Sequence, residues 1–371
     1  MGFGCGGRDE DYMVRRVQAI SDNIHTASGS DVRRRAVRLW LLAVAALVFL
    51  TLLVGGATRL TESGLSIVEW KPVTGSIPPL SDNAWQIEFE KYRATTQYQQ
   101  INRGMTVSEF KTIYWWEWAH RLLGRLIGAA FLLPFLWFLW RGWIPRGLKL
   151  RLWGIFALGG LQGAVGWWMV ASGLMGRVSV SQYRLAFHLT LACVIYAALL
   201  WTAQSLSNRS VLALPRRLRT SAVVLTALVL LQIYAGALVA GIDAGLTYNT
   251  WPLIDGALIP SFERLFFVAP AWRNFFENDL LVQFNHRTVA YILCIAVALH
   301  AVDVMRGRVT GVARNSVLAV ACAVLLQAGL GVVTLLHQTP LPLALMHQGM
   351  AVVLLTLAVL HAQRLSAAGP A

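Results

Sequence analysis

Eight long apolar runs constrain what this chain can fold into more than any other feature of its sequence. Each has about 20 or more residues, the length that a helix needs to cross the hydrocarbon core of a bilayer. They occupy residues 39–58, 112–140, 152–172, 184–203, 221–241, 280–303, 316–337 and 343–363. Charged residues make up 13% of the chain, against about 25% in soluble domains. We therefore predict an all-α polytopic membrane protein.

The distribution of basic residues predicts the orientation. If the N-terminus is cytoplasmic, the segments on that side carry 19 lysines and arginines and the opposite loops carry nine. Cytoplasmic loops carry the excess of positive charge in membrane proteins, so we expect both termini in the cytoplasm. This excess accounts for much of the net charge of +14, and no nucleic-acid partner is implied. Residues 1–38 lack an apolar core and are predicted to be a cytoplasmic polar tail, not a cleaved signal.

The chain also repeats itself. VGGATRLTESGLS (54–66) aligns with AGALVAGIDAGLT (235–247), EWAHR (117–121) with QFNHR (283–287), LQGAVG (161–166) with LQAGLG (326–331), and HLTLA (188–192) with HQGMA (347–351). Four matches in one order indicate an N-terminal half, 39–210, and a C-terminal half, 211–371. An even number of spans in each half makes the repeats parallel, related by an axis along the membrane normal. We expect two tandem, pseudo-twofold-related four-helix bundles.

Four of the eight histidines occupy repeated positions: His120, His188, His286 and His347. They lie near the start of the second, fourth, sixth and eighth spans, all of which enter the membrane from the outer side, so we expect them at a similar shallow depth. A lone membrane histidine is commonly an interhelical hydrogen-bond partner. Two pairs at matched depth in four-helix bundles are instead typical of axial haem ligands. We predict that each pair holds a haem iron.

The neighbours of these histidines favour haem over other metal sites. No carboxylate or cysteine accompanies each pair symmetrically, as a zinc site would require. The four cysteines form no CxxC or CxxCH motif, which excludes a covalently attached c-type haem. Small residues follow the histidines at helical spacing, where a flat macrocycle could lie or where helices could simply pack closely: Gly124, Gly128, Ala192, Ala290 and Ala351.

Arginines also lie at the expected depth of haem propionates. Arg121 and Arg287 directly follow two of the histidines, and Arg125 and Arg184 are further candidates in the first half. Arginine pairs well with carboxylates, so these side chains are candidate propionate contacts. Snorkelling to the interface is the alternative for each of them.

The two halves differ three residues before the first histidine of each pair. The first half has Glu117 and the second has Gln283. Residues i and i+3 share a helix face, so Glu117 is expected to point into the same cavity as His120. An acid at membrane depth is costly and predicts a function, with an ion pair to Arg121 or Arg125 as the alternative. The asymmetry suggests that the first site is catalytic and that the second carries electrons.

The outer segment 59–111 has local helix signals. TVSE (106–109) is a capping box, which predicts that the second spanning helix begins near Thr106, outside the membrane. SDNAWQIEFEKY (81–92) has its own N-cap signal and predicts a short amphipathic interfacial helix.

Three segments of this sequence are similar to those of a known family. GGATRLTESGLS (55–66), WKP (70–72) and EFKTIYWWEWAHRLLGRLIG (109–128) closely resemble the haem A synthase family. The resemblance covers residues 36–364. The outer loops contain no cysteine pairs, and in this respect the chain resembles the mitochondrial and alphaproteobacterial branch of the family.

The resemblance implies an oxidoreductase. Members oxidise a porphyrin methyl group of haem O to a formyl group, by two successive hydroxylations, and the haem A product is inserted into cytochrome c oxidase. By resemblance, His286 and His347 hold a non-covalent bis-histidine haem b, and His120 and His188 bind substrate haem O beside Glu117. An iron held by two histidines has no open position. Either one histidine leaves, or the macrocycle is oxidised and water attacks.

The resemblance also implies surroundings and partners. We expect a bacterial inner (plasma) membrane protein with its haem sites near the periplasmic face, in contact with membrane lipid. Candidate partners are haem O synthase, cytochrome c oxidase assembly factors, a ferredoxin-like or other electron donor, and a second copy in a homo-oligomer. Two other functions remain open: a non-catalytic dihaem b-type cytochrome that relays electrons, and a haem-binding transporter or chaperone.

Overall fold

The computed structural model describes residues 7–207, 214–307, 309 and 311–366, with side chains from residue 29 onward. Within these ranges the fold is helical, and one isolated bridge pairs Ile254 with Ala257. Eight of the described helices are long and apolar enough to cross a membrane. We number them α1 Gly7–Leu60, α2 Val107–Trp140, α3 Arg146–Gly173, α4 Gln182–Ser205, α5 Arg216–Gly241, α6 Asp279–Arg306, α7 Gly311–Leu336 and α8 Leu341–Ser366. The predicted all-α membrane protein with eight spans is confirmed.

Helix α1 is much longer than the span predicted for it. It begins at Gly7 and so includes most of the stretch 1–38 that we expected to be a polar tail. Residues 7–38 contain no proline, so no residue there removes a helical hydrogen bond. The part of α1 long enough and apolar enough to span is Gly29–Leu60. The cytoplasmic location of the tail stays a prediction.

In each half the four spanning helices form a ring in which each helix contacts two others. In the first half α1 packs against α2 and α4, and α3 packs against the same two helices. In the second half α5 packs against α6 and α8, and α7 packs against those two. Helices α1, α4, α5 and α8 form the contact between the halves. The two four-helix bundles and their pseudo-twofold relation stay predictions, with which this order of contacts agrees.

The largest apolar core runs through both halves. It includes Leu41 of α1, Phe135 of α2, Leu199 of α4 and Leu355 of α8, each at most 1% exposed. Trp40 stacks on Phe135 with a centroid separation of 6.2 Å and donates from its indole nitrogen to the Ala130 carbonyl at 2.8 Å. Burying the polar end of an aromatic side chain requires such a partner.

Hydrogen bonds and an ion pair also join the halves at different depths. The bonded pairs are Tyr196 with Thr356, Gln348 with the Leu52 carbonyl, and Arg59 with Asp243. Asp243 therefore bonds across the two halves, although its side chain remains 59% exposed.

The segment between α1 and α2 forms a cap over the first half. Its main helix, Asp82–Arg93, begins after Ser81, whose hydroxyl accepts from the Ala84 amide, and the Thr106–Glu109 capping box opens α2. Both helix starts predicted for this segment are confirmed. Trp85, Phe89 and Tyr92 pack against Phe110 and Tyr114 of α2. This aromatic cluster anchors the cap to the outer end of α2.

The remaining short helices lie in the outer segments. They are Thr74–Ser76, Thr96–Gln100, Ala244–Leu246, Phe262–Leu265, Ala271–Arg273 and Asn274–Glu277.

Candidate functional site

The four repeated histidines lie at corresponding places in the fold. His188, His286 and His347 are six or seven residues into α4, α6 and α8. His120 is 13 residues into α2, because α2 begins earlier, in the cap. All four side chains are partly buried.

Each of these histidines lies against a glycine of the preceding spanning helix. The pairs are Gly55 with His120, Gly166 with His188, Gly236 with His286, and Gly331 with His347. A Cβ added at these glycines would lie 2.6, 3.0, 3.0 and 2.8 Å from the imidazole Cε1, respectively. Carbon atoms in contact prefer about 3.5–4.0 Å, so larger residues would displace the rings. The glycines therefore set the position of all four imidazoles.

The small residues predicted from the sequence to lie beside a macrocycle are not the glycines that touch the imidazoles. They are residues that follow each histidine, such as Gly124 and Gly128, and an added Cβ at either would meet nothing within 4 Å. Whether these positions face a macrocycle is untested. The glycines that touch the imidazoles lie one helix earlier in the chain. Their signal was present, since Gly55 and Gly236 align in the repeat, as do Gly166 and Gly331.

Three of the histidines also have a glutamine beside the ring. Gln162, Gln232 and Gln327 each lie four residues before the glycine of their helix. Each places its amide nitrogen 3.1 Å from a histidine Nδ1. The three pairs are Gln162 with His188, Gln232 with His286 and Gln327 with His347. Two of the three Gln-x-x-x-Gly patterns lie in the repeated segments LQGAVG (161–166) and LQAGLG (326–331). The repeat alone does not show that these residues contact the histidines.

These surroundings fit imidazoles that ligate a haem iron. Such a ligand binds through Nε2 and carries a proton on Nδ1, which needs an acceptor. The Oε1 atoms of all three glutamines are buried and have no hydrogen-bond partner. Gln162 and Gln327 donate from their amide nitrogen to the backbone carbonyl of their histidine at 3.0 Å. Only the amide of Gln232 can therefore rotate by 180° and place its oxygen beside Nδ1 without losing a hydrogen bond. The described residues contain no group of three or more His, Cys, Asp and Glu that could hold a bare metal ion.

Glu117 is engaged on both carboxylate oxygens. Its Oε1 accepts from Nε and Nη2 of Arg121 at 3.0 and 2.6 Å. Its Oε2 accepts from the Ser66 hydroxyl and the Ile67 amide, both at 2.8 Å. The residue is 2% exposed. The ion pair that the sequence offered as an alternative is therefore present, and Glu117 links α2 to the segment that follows α1.

Gln283 occupies the corresponding position with different chemistry. Its Oε1 accepts from Arg287 at 2.6 Å, as Glu117 accepts from Arg121. Its amide nitrogen, however, donates to the Ala244 carbonyl at 2.7 Å, where Glu117 accepts from two donors. The first half thus buries a carboxylate where the second buries a neutral amide.

Three of the four arginines that are candidate propionate contacts hold loop carbonyls, and the fourth, Arg184, holds a carbonyl within α3. Arg121 donates to the carbonyls of Ile67 and Glu69, and Arg125 to those of Lys71 and Pro72. In the other cases the acceptors are Tyr248 and Leu253 for Arg287, and Trp168 for Arg184. Nη1 of Arg125 and Nε of Arg287 are buried without a partner. The propionate role stays a prediction, whereas the structure shows that Arg121, Arg125 and Arg287 hold the loops after α1 and α5, and that Arg184 joins α4 to α3.

A second histidine pair lies deeper in the second half. His300 and His361 are 4% and 1% exposed, and their Nε2 atoms are 2.8 Å apart. Their Nδ1 atoms bond to Ser221 and Ser316 at 2.8 and 2.7 Å. Because neither has a partner in the quoted repeat, the sequence predicts that both histidines lie in tails, helix ends or loops. They instead link four helices in one hydrogen-bonded chain. Of the others, His337 is exposed at the end of α7, and the side chain of His25 lies outside the described residues.

The spacing of this pair resembles that of the outer pair, but its surroundings do not fit a haem. His300 and His361 each lie 14 residues after a repeated histidine, and each bonded serine lies 11 residues before a repeated glutamine. The positions equivalent to Gly236 and Gly331 are then Leu225 and Val320, which are 4% and 1% exposed in the packed core. No glycine leaves room beside these rings.

Fold and site together define a multi-pass helical membrane protein with two pairs of histidines, one pair in each half. We call these histidines glycine-backed, because each imidazole packs against a glycine of the preceding spanning helix. The family model described as cytochrome oxidase assembly protein (COX15-CtaA) matches residues 38–359, and the chain belongs to that family.

Three relatives carry the name heme A synthase. The protein of Rhodopseudomonas palustris strain HaA2 is 61% identical over 335 residues, which cover 90% of this chain and 92% of the relative. That of Bradyrhizobium diazoefficiens USDA 110 is 60% identical over 341 residues, 92% of this chain and 94% of the relative. That of R. palustris strain BisA53 is 60% identical over 331 residues, 89% and 91% of the two chains. The predicted membership of the haem A synthase family is confirmed.

Proposed function

We propose that this protein is a haem A synthase, an oxidoreductase that converts a porphyrin methyl group of haem O to the formyl group of haem A for cytochrome oxidase assembly. The family membership and the names of the relatives support this proposal. The observation that carries it is the set of four histidines, each positioned by a glycine of the preceding helix. Paired imidazoles in a four-helix unit are suited to axial ligation of haem.

The two halves are assigned different tasks. His286 and His347 in residues 211–371 hold a resident, non-covalent haem b, which supplies one-electron chemistry. His120 and His188 in residues 39–210 bind haem O as substrate. The difference between Glu117 and Gln283 supports this division, because only the first site has a buried carboxylate beside its histidine.

Glu117 is assigned to catalysis through its charge. An ionised carboxylate can only accept hydrogen bonds, and Glu117 already accepts from Arg121, Ser66 and Ile67. Taking a proton from water would require one of these donors to move away. Stabilising positive charge that develops on the substrate requires no such movement. Electrostatic stabilisation is therefore the role that the hydrogen bonds favour.

The location of the protein follows from the charge pattern and the relatives. We assign it to a bacterial inner membrane, with both termini cytoplasmic and the four histidines near the periplasmic face. The excess of basic residues in the segments assigned to the cytoplasm supports this orientation. Haem O synthase, oxidase assembly factors, an electron donor and a second copy of the chain stay candidate partners.

Extraction of the pigment from purified protein tests the assignment. Haem O or haem A, recovered together with haem b, supports the synthase. Haem b alone, from cells that make haem O, contradicts it and supports the non-catalytic dihaem cytochrome.

A further inference from the structure

We infer that Gln348 of the second half is a positioning residue for the substrate site of the first half. The inference rests on the proposed function, because it takes His120 as a ligand of the substrate haem. Gln348 directly follows His347 on α8, and its side chain bonds to α1 of the other half. It therefore connects a helix that bears a histidine of one site to the helix that backs a histidine of the other.

The side chain of Gln348 lies along one turn of α1. Its amide nitrogen donates to the Leu52 carbonyl at 2.6 Å. Its amide oxygen lies so close to Gly56 that a Cβ added there would clash with it. Gly56 is thus the residue that leaves room for the amide. The same turn contains Gly55, the glycine that packs against His120.

A second bond between the halves holds α1 beyond Gly55. Arg59 donates to the Ala240 carbonyl at 2.9 Å and to the Asp243 carboxylate at 3.1 Å. Leu52 and Arg59 are seven residues apart, which is about two helical turns, so they lie on one face of α1. The segment of α1 that carries Gly55 is therefore attached to the second half at both ends.

The equivalent contact on the other helix pair is apolar. The repeat aligns Gly56 with Ala237 of α5 and Gln348 with Leu189 of α4. Leu189 packs against the apolar cluster that contains Ala237. Glutamine thus lies opposite glycine in one contact, and leucine belongs with alanine in the other. Of these two contacts between the halves, the one made to α1 is the directional one.

A directional contact is useful at a site that must hold its substrate accurately. Hydrogen bonds weaken steeply when their angle changes, so the bond from Gln348 restricts how α1 can shift or rotate. Movement of α1 would move Gly55 and the imidazole that rests on it. A misplacement of about 1 Å can cost about 10²-fold in rate. The resident haem of the second half has only to stay bound.

Three variants of the full-length protein separate this role from packing. Gln348→Leu removes the hydrogen bond. Gly56→Ala displaces the amide and leaves Gln348 itself intact. The double variant, Gly56→Ala with Gln348→Leu, copies the apolar contact of the other helix pair. Tyr196→Phe is the matched control, because it removes a different hydrogen bond between the halves, to Thr356.

Each protein is purified from cells that make haem O. Chromatography of the extracted pigment gives haem O and haem A separately from haem b, and thermal unfolding gives the stability. Electron paramagnetic resonance records the ferric low-spin signals, which depend on the axial ligands of each haem. The signal that His120→Ala removes is assigned to the first site.

We expect all three variants at this contact to change the first-site signal and to lower haem A yield by up to about 100-fold. The double variant should nevertheless unfold near the wild-type temperature. Gly56→Ala should change the first site no further when Gln348→Leu is already present, because both changes remove the same contact.

The second site and the control should be unaffected. Gln327 and Gly331 of α7 hold His347 independently of α1, so the haem b content and its signal should stay as in the wild type. Tyr196→Phe should leave both signals and the haem A yield unchanged.

Three results would overturn the inference while leaving the proposed function intact. The first is a double variant with the wild-type first-site signal and haem A yield, since packing alone would then suffice. The second is an equal change in Tyr196→Phe, which would show a general loosening between the halves. The third is strict additivity of Gly56→Ala and Gln348→Leu. Absence of haem O and haem A from the wild-type protein would instead contradict the proposed function, and the inference with it.

Discussion

Arg121 donates two hydrogen bonds to the Glu117 carboxylate one turn earlier on α2, at 3.0 and 2.6 Å. The same guanidinium donates to the carbonyls of Ile67 and Glu69. The pair therefore connects the buried acid of the first site to the backbone of the cap. A substitution at Glu117 will change both the charge of the site and the attachment of the cap, and the experiments must separate these effects.

Replacing Glu117 with glutamine should lower haem A production strongly. Removing one preorganised group that stabilises charge in the transition state typically costs about 10²–10³-fold in rate. Glutamine also turns an amide N–H toward the Ser66 hydroxyl and the Ile67 amide, or toward Arg121. A buried donor left unsatisfied costs about 1–3 kcal/mol, so the thermal unfolding temperature should decrease as well. Haem content, haem A yield and unfolding temperature are measured on the same preparation.

Ser66→Ala is the control for the structural part of this effect. It removes one of the donors to Glu117 and keeps the carboxylate and its partner Arg121. We expect a modest loss of stability with haem A production largely retained. If Ser66→Ala reduced haem A yield as much as Glu117→Gln at comparable haem content, the role of Glu117 would be to hold the cap and not to act on substrate.

Replacing both His286 and His347 with alanine should remove haem b and its low-spin spectrum. These are the two glycine-backed imidazoles of the second half. The matched control is the replacement of both His300 and His361 with leucine, on the same two helices and 14 residues further on. The control protein should keep its haem b. A full complement of bis-histidine haem b in the first variant would disprove the ligand assignment.

Adding one methyl group beside His347 should disturb the second site. Gly331→Ala would place a Cβ 2.8 Å from the imidazole Cε1, so the ring must shift. We expect lower haem b occupancy and an altered low-spin spectrum. Gly329→Ala, two residues earlier on the same helix, would meet nothing within 4 Å and should bind haem b normally. Identical spectra for the two variants would show that Gly331 does not position the ligand.

The inner histidine pair should stabilise the second half only as a pair. Replacing His361 alone with leucine leaves Nε2 of His300 without its partner, whereas the Ser316 hydroxyl still donates to the Ala313 carbonyl. We expect a loss of about 1–3 kcal/mol for the unsatisfied His300. The double leucine variant removes both imidazoles and should lose less than the sum of the two single changes. Thermal unfolding of the four proteins forms a double-mutant cycle. Strict additivity would mean that the two imidazoles contribute independently.

Features that depend on nearby residues could be predicted from the sequence. The lengths of the apolar runs predict the eight spans. The Thr106–Glu109 capping box predicts the start of α2. Both signals are contained in a short continuous segment of the sequence. The four histidines were found as candidates because the repeat preserves their order. None of these predictions required knowledge of which helices are neighbours.

Contacts between residues of different helices could not be predicted from the sequence. The position of Gly331 against His347 depends on how α7 and α8 face one another, and the pairing of His300 with His361 depends on α6 and α8. Helical spacing predicts that Glu117 lies on the same helix face as His120, but it cannot reveal that Ser66 and Ile67 donate to the carboxylate.

Conversion of haem O in a host that makes haem O but no haem A tests the central claim most directly. The protein is produced in that host, and the total haem is separated by chromatography and identified by mass. The account predicts haem A with the wild-type chain and little or none with Glu117→Gln at equal protein level. If the wild-type chain, loaded with haem b and supplied with haem O, yields no haem with a formyl group, the protein does not catalyse this reaction.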